Sequence, residues 1–354
     1  MPKSLPSIAA HVDRILDAAH LAPSHDNLQP WRFAVEGETI SFLLDHERDR
    51  SPANARGRVA RIAVGAALEC ALLRAGRMGA TVKFLPAQPG ALVTISVTAP
   101  KRTVEADKAL MRRVTNRRLY DGRPLDDATF AWLQQATPVL ESTKTLWFGR
   151  ERVRTLGPIV GEGEALYYRD PPAREAALKA LRFDVRDNEE VTRGLSVGSL
   201  ELTTAERLAV DAFRKNPQER LESMAAFDKM GAYARRLMES ASGVCIVATP
   251  GTDEMSDVLV GRCMQRAWLA LTRRGLVAQP MNAVPSIEAR LGVDDPSAAF
   301  ADPAKAAAVV ASLRAAFPGV DKASRIAVVM RVGQAPPPTA RVRRLPLADS
   351  VAQG

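Results

Sequence analysis

Residues 68–86, LECALLRAGRMGATVKFLP, and residues 264–281, MQRAWLALTRRGLVAQPM, decide how the chain is organised. Each has an apolar stripe at helical spacing, basic residues in the expected last turn, and a glycine, Gly79 or Gly275, where the helix would end. Residues typical of a β-strand follow each glycine. The two stretches therefore predict the same unit, a long helix leading into a strand, at two places in the chain.

The elements around these two helices come in the same order, which favours an internal duplication. For the first copy we expect a helix, a polar loop at Pro23, two strands, the long helix and two more strands, over 8–22, 31–35, 39–44, 57–78, 81–85 and 91–98. For the second copy we expect a helix, a loop at Pro138, a strand, the long helix and two strands, over 126–136, 146–148, 256–274, 276–279 and 325–331. Mixed short strands and helices are typical of an α+β protein.

The second copy is longer because of an extra segment between Gly149 and Gly243. We expect helices in it over 173–181, 204–213 and 219–239. A connection of this length in a compact domain is usually functional, often as a lid, or is partly disordered. Near the C-terminus the proline-rich stretch 333–347, GQAPPPTARVRRLPL, is predicted to be extended because proline cannot continue a helix.

Composition limits the class of protein without choosing a function. The chain has 354 residues, enough for about two domains, with 46% apolar and 25% charged residues. This ordinary balance argues against disorder and disulfide scaffolds. The net charge is +9, mostly from arginine, whose planar fork suits phosphate. The excess is compatible with nucleic acid, with a phosphorylated small molecule or with compositional preference alone.

Several classes are excluded by what the sequence lacks. No stretch has the ~20 apolar residues of a transmembrane helix, and the N-terminus is amphipathic rather than a signal peptide. The cysteines, Cys70, Cys245 and Cys263, lack metal spacing, which predicts reduced thiols in a cytoplasmic protein and no metal site. All four histidines precede residue 47, so no histidine-based catalytic site can come from the rest of the chain. We therefore nominate no catalytic side chain.

A first candidate binding segment is residues 22–33, APSHDNLQPWRF. It joins a predicted helix to a predicted strand, and two prolines stiffen it. The side chains of Ser24, Asn27 and Gln29 offer donors and acceptors that suit a heteroaromatic ring edge and a polyol chain. The alternative is ordinary turn chemistry.

A second candidate is residues 112–121, RRVTNRRLYD. On an extended backbone Arg113, Thr115 and Arg117 would point the same way, and two guanidinium groups with one hydroxyl would receive a phosphate dianion. The tail offers further cations in residues 341–344, RVRR. The alternative for each basic group is a solvated surface.

Together these segments resemble the FMN-binding signatures of the nitroreductase family, in its tandem-domain, Acg-like branch. In that family each subunit of a homodimer carries both motifs, and the flavin lies between subunits. Here each copy keeps one motif, which implies a pseudo-dimer in one chain with one FMN site. The implied halves are 1–105 and 106–354, with a lid-like insertion over about 170–235. The implied fold is nitroreductase-like α+β, with mixed, mainly antiparallel sheets flanked by helices.

The resemblance also implies site residues. The flavin ring and ribityl chain would contact Pro23, Ser24, Asn27 and Gln29, and the phosphate would contact Arg113, Thr115, Arg117 and Arg344. The backbone amides around Met281 and Asn282 would face the flavin N5 edge.

The implied function is hydride transfer from NAD(P)H to FMN and on to a nitro, quinone-like or other small acceptor. The chain would be a monomer, with a weak oligomer left open, and would bind neither nucleic acid nor a membrane. The alternative is a flavin storage protein whose insertion occupies the nicotinamide space and which turns over little. A third hypothesis, nucleic-acid binding, rests on the net charge alone.

Overall fold

The computed structural model describes residues 9–102, 105, 107–183, 191–215, 225–293, 300 and 302–352. They have an α+β fold with two four-stranded antiparallel sheets and helices packed around them, which confirms the expected fold class. The described part of the insertion adds a two-stranded parallel pair, β6 (Leu181–Arg182) with β7 (Leu195–Ser196).

The first sheet uses residues of the predicted first copy. The elements in chain order are α1 (Ala10–His20), β1 (Trp31–Glu36), β2 (Thr39–Leu44), α2 (Arg58–Arg77), β3 (Val82–Leu85) and β4 (Ala91–Val97). The strands lie in the order β1-β2-β4-β3. All of these elements were predicted, within two residues at each end.

The second sheet repeats this arrangement after a short helix, α3 (Lys108–Arg112). Its flanking elements are α4 (Asp127–Ala136), β5 (Lys144–Phe148), β8 (Gly243–Thr249), α9 (Glu254–Arg273), β9 (Val277–Pro280) and β10 (Arg325–Gly333), and its strand order is β5-β8-β10-β9. The order matches the first sheet strand for strand, with α9 in the place of α2. We propose that this match comes from the duplication that the sequence predicts.

The insertion separates β5 from β8, two strands that are neighbours in the sheet. It carries α5 (Arg150–Arg169), α6 (Pro171–Ala180), α7 (Thr204–Lys215) and α8 (Ala225–Glu239). The predicted helices at 173–181 and 204–213 are confirmed, and that at 219–239 is confirmed over Ala225–Glu239, because residues 219–224 lie outside the described residues. Helices α10 (Ala283–Leu291) and α11 (Pro303–Ala315) lie between β9 and β10.

The long helices α2 and α9 cross with their backbones in contact, at one glycine from each. A Cβ added to Gly65 would lie 2.0 Å from the carbonyl oxygen of Val258, and one added to Gly261 would lie 1.9 Å from that of Ile62. Gly65 and Gly261 occupy equivalent positions when the helices are aligned on Gly79 and Gly275. The contact is therefore close to symmetric, and only residues without a side chain fit it.

Buried ion pairs and a shared core fasten the two halves across this crossing. Asp257 in α9 accepts from Arg61 in α2 at 2.9 Å, and Glu69 in α2 accepts from Arg266 in α9 at 2.8 Å. The main hydrophobic cluster contains residues of both sheets and of both long helices. The boundary predicted at 105/106 falls in the connection from β4 to α3, but the core on either side is continuous.

The C-terminal tail returns from the second half to the first. Val351 forms a parallel bridge with Phe33 in β1, where the Phe33 amide donates to the Ser350 carbonyl at 2.7 Å. The stretch 334–346 before it contains no helix or strand, which confirms the predicted extended tail. This path carries the basic run 341–344 past the loop at residues 23–30.

Substituting either crossing glycine tests the backbone contact. We expect Gly65→Ala and Gly261→Ala each to lower the free energy of unfolding by about 1–3 kcal/mol, the usual cost of overpacking, as measured by chemical denaturation. Gly76→Ala is the matched control, because Gly76 lies in the same helix with nothing within 4 Å of the added Cβ. It should stabilise the protein by up to about 1 kcal/mol. Equal effects at Gly65 and Gly76 would contradict the close crossing.

Candidate functional site

The loop between α1 and β1 has a constrained backbone. Asp26, Asn27 and Gln29 have positive φ values of 44°, 56° and 53°, a conformation that residues other than glycine rarely adopt. The hydroxyl of Ser24 accepts from the Gln29 amide at 2.9 Å, which closes the loop on itself. Three left-handed residues within four positions persist only where surrounding contacts hold them, and such strain is common at binding sites.

The tail supplies those contacts. The Asn27 side-chain amide donates to the Arg343 carbonyl at 2.9 Å, and the Gln29 side chain accepts from the Leu345 amide at 2.9 Å. Both side chains also donate to the carbonyl of Thr192 in the insertion, at 3.2 and 2.8 Å. Asn27 and Gln29, predicted to face a flavin, therefore fasten the loop to the tail and the insertion in this structure.

A buried histidine adds a second fastening. His20 Nδ1 lies 3.1 Å from the indole Nε1–H of Trp31, which can only donate, so the ring proton must be on Nε2. Nε2 then donates to the Leu345 carbonyl at 2.7 Å. Burial lowers the pKa of His20 to about 4, so the ring is neutral at pH 7. The Gln-Pro-Trp sequence of the loop thus anchors the tail through His20.

Three arginines meet beside this loop and form what we call the arginine cluster, Arg113, Arg341 and Arg344. Arg113 donates to the Leu21 carbonyl at 3.1 Å, and Arg344 to the Ala22 carbonyl at 2.7 Å. These carbonyls lie at the negative C-terminal end of α1. Arg344 also donates to the Asn27 side-chain oxygen, and Arg341 donates to three backbone carbonyls at residues 111–113. The predicted segments at 23–29, at 113 and at 344 are therefore together in space.

The charge of this cluster is not neutralised by the protein. Among the described residues none of the three arginines forms an ion pair with a carboxylate, and the Nε atoms of Arg113 and Arg344 are buried without a hydrogen-bond partner. Burial and, to a smaller extent, the neighbouring guanidinium charges lower the pKa of Arg113 to about 10 and that of Arg344 to about 9. The arrangement favours an anion, which would satisfy the free N–H groups and relieve the repulsion.

Arg117, which the sequence predicts to point the same way as Arg113, has different partners in the protein. It donates to the Ser199 carbonyl at 3.2 Å, and its strongest charged neighbour is Asp26. Arg113 instead packs over the ring of Trp268, 4.7 Å from its centroid. Arg113 and Arg117 thus have different protein partners, and their joint contact with one phosphate stays a prediction.

The segment after α9 departs from the prediction at one residue. The amide of Met281 donates to the Val329 carbonyl at 2.8 Å, because 277–281 runs along β10, so this amide is not free for a ligand. Asn282 accepts from the Val329 amide at 2.9 Å through its side chain, and it precedes the first turn of α10. The first amides of a helix lack intrahelical partners. Pro285 has no N–H, and the amides of Ala283 and Val284 have no hydrogen-bond partner among the described residues. Thr115 forms a bridge with Ala278 at the same edge.

Sequence reasoning missed an acidic and aromatic cluster beside Arg117. Helix α5 brings Glu164, Tyr167 and Tyr168 there, and α8 brings Tyr233, whose hydroxyl donates to the Leu200 carbonyl at 3.3 Å. Burial and, to a smaller extent, the charge of Asp26 raise the pKa of Glu164 to about 7. Within the described ranges the Glu164 carboxyl group has no cationic partner. Helix α5 itself escaped prediction because it contains Pro158 and three glycines.

Other kinds of site are not found in the part of the chain that the structure describes. No group of three His, Cys, Asp or Glu side chains is arranged to hold a metal ion there. No helix among those residues is both long and apolar enough to cross a membrane. The three cysteines are buried and unpaired by disulfides.

Comparison with known proteins finds remote relatives. No family model matches the chain. An uncharacterised protein of Mycobacterium tuberculosis (strain CDC 1551 / Oshkosh) is 25% identical over 279 residues, which are 76% of this chain and 38% of that protein. The chain thus spans well under half the length of this curated relative.

Solved structures that are similar are nitroreductase-type FMN-binding proteins. The FMN and NADPH-dependent nitroreductase NfnB from Sphigopyxis sp. strain HMH is 16% identical, with 71% of this chain and 99% of that chain covered and a TM-score of 0.39. The FMN-dependent nitroreductase NfnB from Mycobacterium smegmatis, in complex with NADPH, is 14% identical, with 70% and 98% covered and a TM-score of 0.35. A nitroreductase with bound FMN from Bacteroides fragilis is 13% identical, with 64% and 88% covered and a TM-score of 0.35.

The raised pKa of Glu164 makes a prediction about stability. Its value is about 7 in the folded protein against 4.5 for the free side chain, so its contribution to stability is full below pH 4.5 and is lost as the pH rises through 7. We therefore expect Glu164→Gln, which stays uncharged, to gain stability relative to the wild type between pH 5 and pH 8. The measurement is urea denaturation across that range. Glu162→Gln, on an exposed position of the same helix, should follow the wild type at every pH.

Proposed function

We propose that this chain is an FMN-binding oxidoreductase of the nitroreductase type, with one FMN per chain. The observation that carries the proposal is the arginine cluster. The Nε atoms of Arg113 and Arg344 are buried without a hydrogen-bond partner, and no arginine of the cluster pairs with a carboxylate among the described residues. A protein seldom buries charge without compensation, and a phosphate monoester supplies the charge and the acceptors that these groups need. Arg113 and Arg344 would hold the phosphate, with Arg341 beside them.

The ring end of the flavin would lie beyond the cluster, on the side of Arg117. Arg117 follows Arg113 along the same extended segment, and the free amides at the start of α10 lie at the same edge of β9. A flavin reaching from the cluster to Arg117 would pass the loop at 23–29, whose residues Pro23, Ser24, Asn27 and Gln29 remain predicted contacts. Thr115 lies between the two arginines. The phosphate end of the flavin would thus contact Arg113 and the ring end would contact Arg117, two residues of the same segment.

The chemistry that FMN supplies when bound is hydride transfer from NAD(P)H to a small acceptor, such as a nitro or quinone compound. The protein's part is to place the flavin and to set its electrostatic surroundings. Glu164 and the neighbouring tyrosines lie beside Arg117, where an acceptor could approach. They would contact the acceptor rather than the phosphate. We propose that the chain acts without a partner subunit, because the loop and the arginine cluster of one chain already meet.

A second candidate function is flavin storage with little turnover. The insertion supports it, since Thr192 accepts from Asn27 and Gln29, and Ser199 accepts from Arg117. The insertion therefore lies on both predicted motifs and would cover a flavin bound between them. If it stays closed, a nicotinamide cannot reach the ring.

The phosphate assignment is tested by comparing FMN with riboflavin, which lacks the phosphate. Wild-type protein should quench FMN fluorescence and bind it more tightly than riboflavin. Arg113→Gln should weaken FMN binding about 10- to 100-fold, the effect of losing a charge-assisted hydrogen bond, with little change for riboflavin. Arg112→Gln, at an exposed neighbouring position, should bind both as the wild type does. A wild type that stays colourless with excess FMN would overturn the proposal.

Anaerobic mixing of the FMN-loaded protein with NADPH separates the two candidate functions. An enzyme should lose its flavin absorbance within seconds and regain it when a quinone is added. A storage protein should stay yellow under the same conditions. Free FMN reduced with dithionite is the control for loss of colour and should bleach at once. Loss of colour only after hours would count against the oxidoreductase.

A further inference from the structure

Arg331, in β10, is the largest charged side chain that is fully buried, and no function proposed above uses it. Its relative exposure is 0%, and no carboxylate among the described residues pairs with it. Burial lowers its pKa, so the cost of placing the charge there is met only by hydrogen bonds. A buried arginine that is retained at this cost is expected to hold something in place.

The five N–H···O contacts of Arg331 reach three parts of the second half. Nη2 donates to the carbonyls of Asn116 and Arg118, at 3.3 and 2.8 Å. Nε donates to the Gln279 side chain at 2.8 Å. Nη1 donates to the Leu237 carbonyl and the Ser240 hydroxyl, at 3.0 and 3.2 Å, near the C-terminal end of α8. The guanidinium group also stacks on the Tyr120 ring, 3.8 Å from its centroid.

Two of these contacts bracket Arg117, the arginine at the ring end of the proposed flavin site. The carbonyls that Arg331 binds belong to the residues directly before and after it. Tyr120 adds a hydrogen bond from its hydroxyl to the same Asn116 carbonyl, at 2.9 Å. The contact with Gln279 fixes the strand that leads to Asn282 and the free amides of α10. One side chain thus holds both backbone segments that would face the flavin ring.

We propose that Arg331 is the positioning residue for the ring end of the flavin site, an inference that rests on the proposed function. The planar fork reaches the 116–118 segment, β9 and α8 at once, and no other side chain type can do so with fixed geometry. It does not touch the ligand. It sets where Arg117 and the 279–282 segment stand before the ligand arrives, which reduces the ordering that binding would otherwise require.

The test is Arg331→Lys, which keeps the charge and loses the fork. We expect affinity for riboflavin and for FMN to fall by the same factor, about tenfold or more, because the phosphate end is intact. The visible circular dichroism of bound FMN should change, since it reports the surroundings of the ring. Arg325→Lys is the matched control, because Arg325 is buried in the same strand but donates to Gly251 and Asp257, away from the site. It should bind both flavins as the wild type does.

Binding is measured where denaturation curves show each variant to be more than about 99% folded, so that lost stability alone cannot weaken it. Ser240→Ala removes one acceptor of Arg331 and serves as a milder variant, expected to weaken both flavins about threefold, should Arg331→Lys not fold. Wild-type affinity and dichroism in folded Arg331→Lys, or a loss confined to FMN, would overturn the inference alone. Failure of the wild type to bind any flavin would overturn the proposed function and this inference together.

Discussion

The contact of Gly65 with Val258 and of Gly261 with Ile62 is the constraint on which the rest of the structure depends. It brings the axes of α2 and α9 together and so fixes how the two sheets stand on either side. The same helix contact also positions side chains that lie beneath the candidate site. Cys70, one turn beyond Gly65, accepts from Gln265 in α9 at 3.1 Å, and Trp268, one turn further along α9, lies under Arg113. A shift of either helix would displace that arginine.

The arginines with buried guanidinium groups differ in how their charge is compensated. Arg61 and Arg325 share Asp257, and Arg290 pairs with Asp170, so these cations are neutralised inside the protein. Arg331 pairs with no carboxylate in the described part of the chain, but neutral acceptors satisfy its N–H groups. Arg113 and Arg344 differ from both groups, since they keep buried N–H groups without a partner. Carbonyls at the end of α1 hold them in place but leave them attractive to an anion.

Most of the regular structure could be predicted from the sequence, because periodicity and end signals are local. The strand β8, Gly243–Thr249, was missed although its run GVCIVAT is a local signal of a buried strand. Its pairing with β5 across the insertion could not be predicted, because no local pattern reveals pairing over such a distance. Helix α5 was missed because its glycines weaken the helical signal. Tertiary packing requires glycine there, since a Cβ on Gly161 would lie 2.8 Å from the Gly231 carbonyl of α8. Glycines spaced four apart, at 157 and 161, were the available signal.

The candidate site was predictable in composition but not in geometry. The motifs at 23–29, 113 and 344 do meet, and Asp26 of the same loop is the strongest charged neighbour of Arg117. Met281 uses its amide within the sheet. Alternation gives the side of a strand to which side chains point, but it does not give their partners. The roles of Glu164 and Arg331 could not be inferred at all, since each depends on residues distant in sequence.

The proposed duplication also explains why a flavin would bind once rather than twice. Residues 137–143 of the second copy correspond to the loop 23–30 of the first, but the basic run 341–344 contacts the first loop. The hollow beside residues 137–143 is lined by Glu141, Asp253 and Ser142, so its charge is opposite to that of the arginine cluster. The tail can pair with one sheet only, and it pairs with β1. A phosphate would be attracted to the first loop and repelled at the second, because the same fold carries inverted charge there.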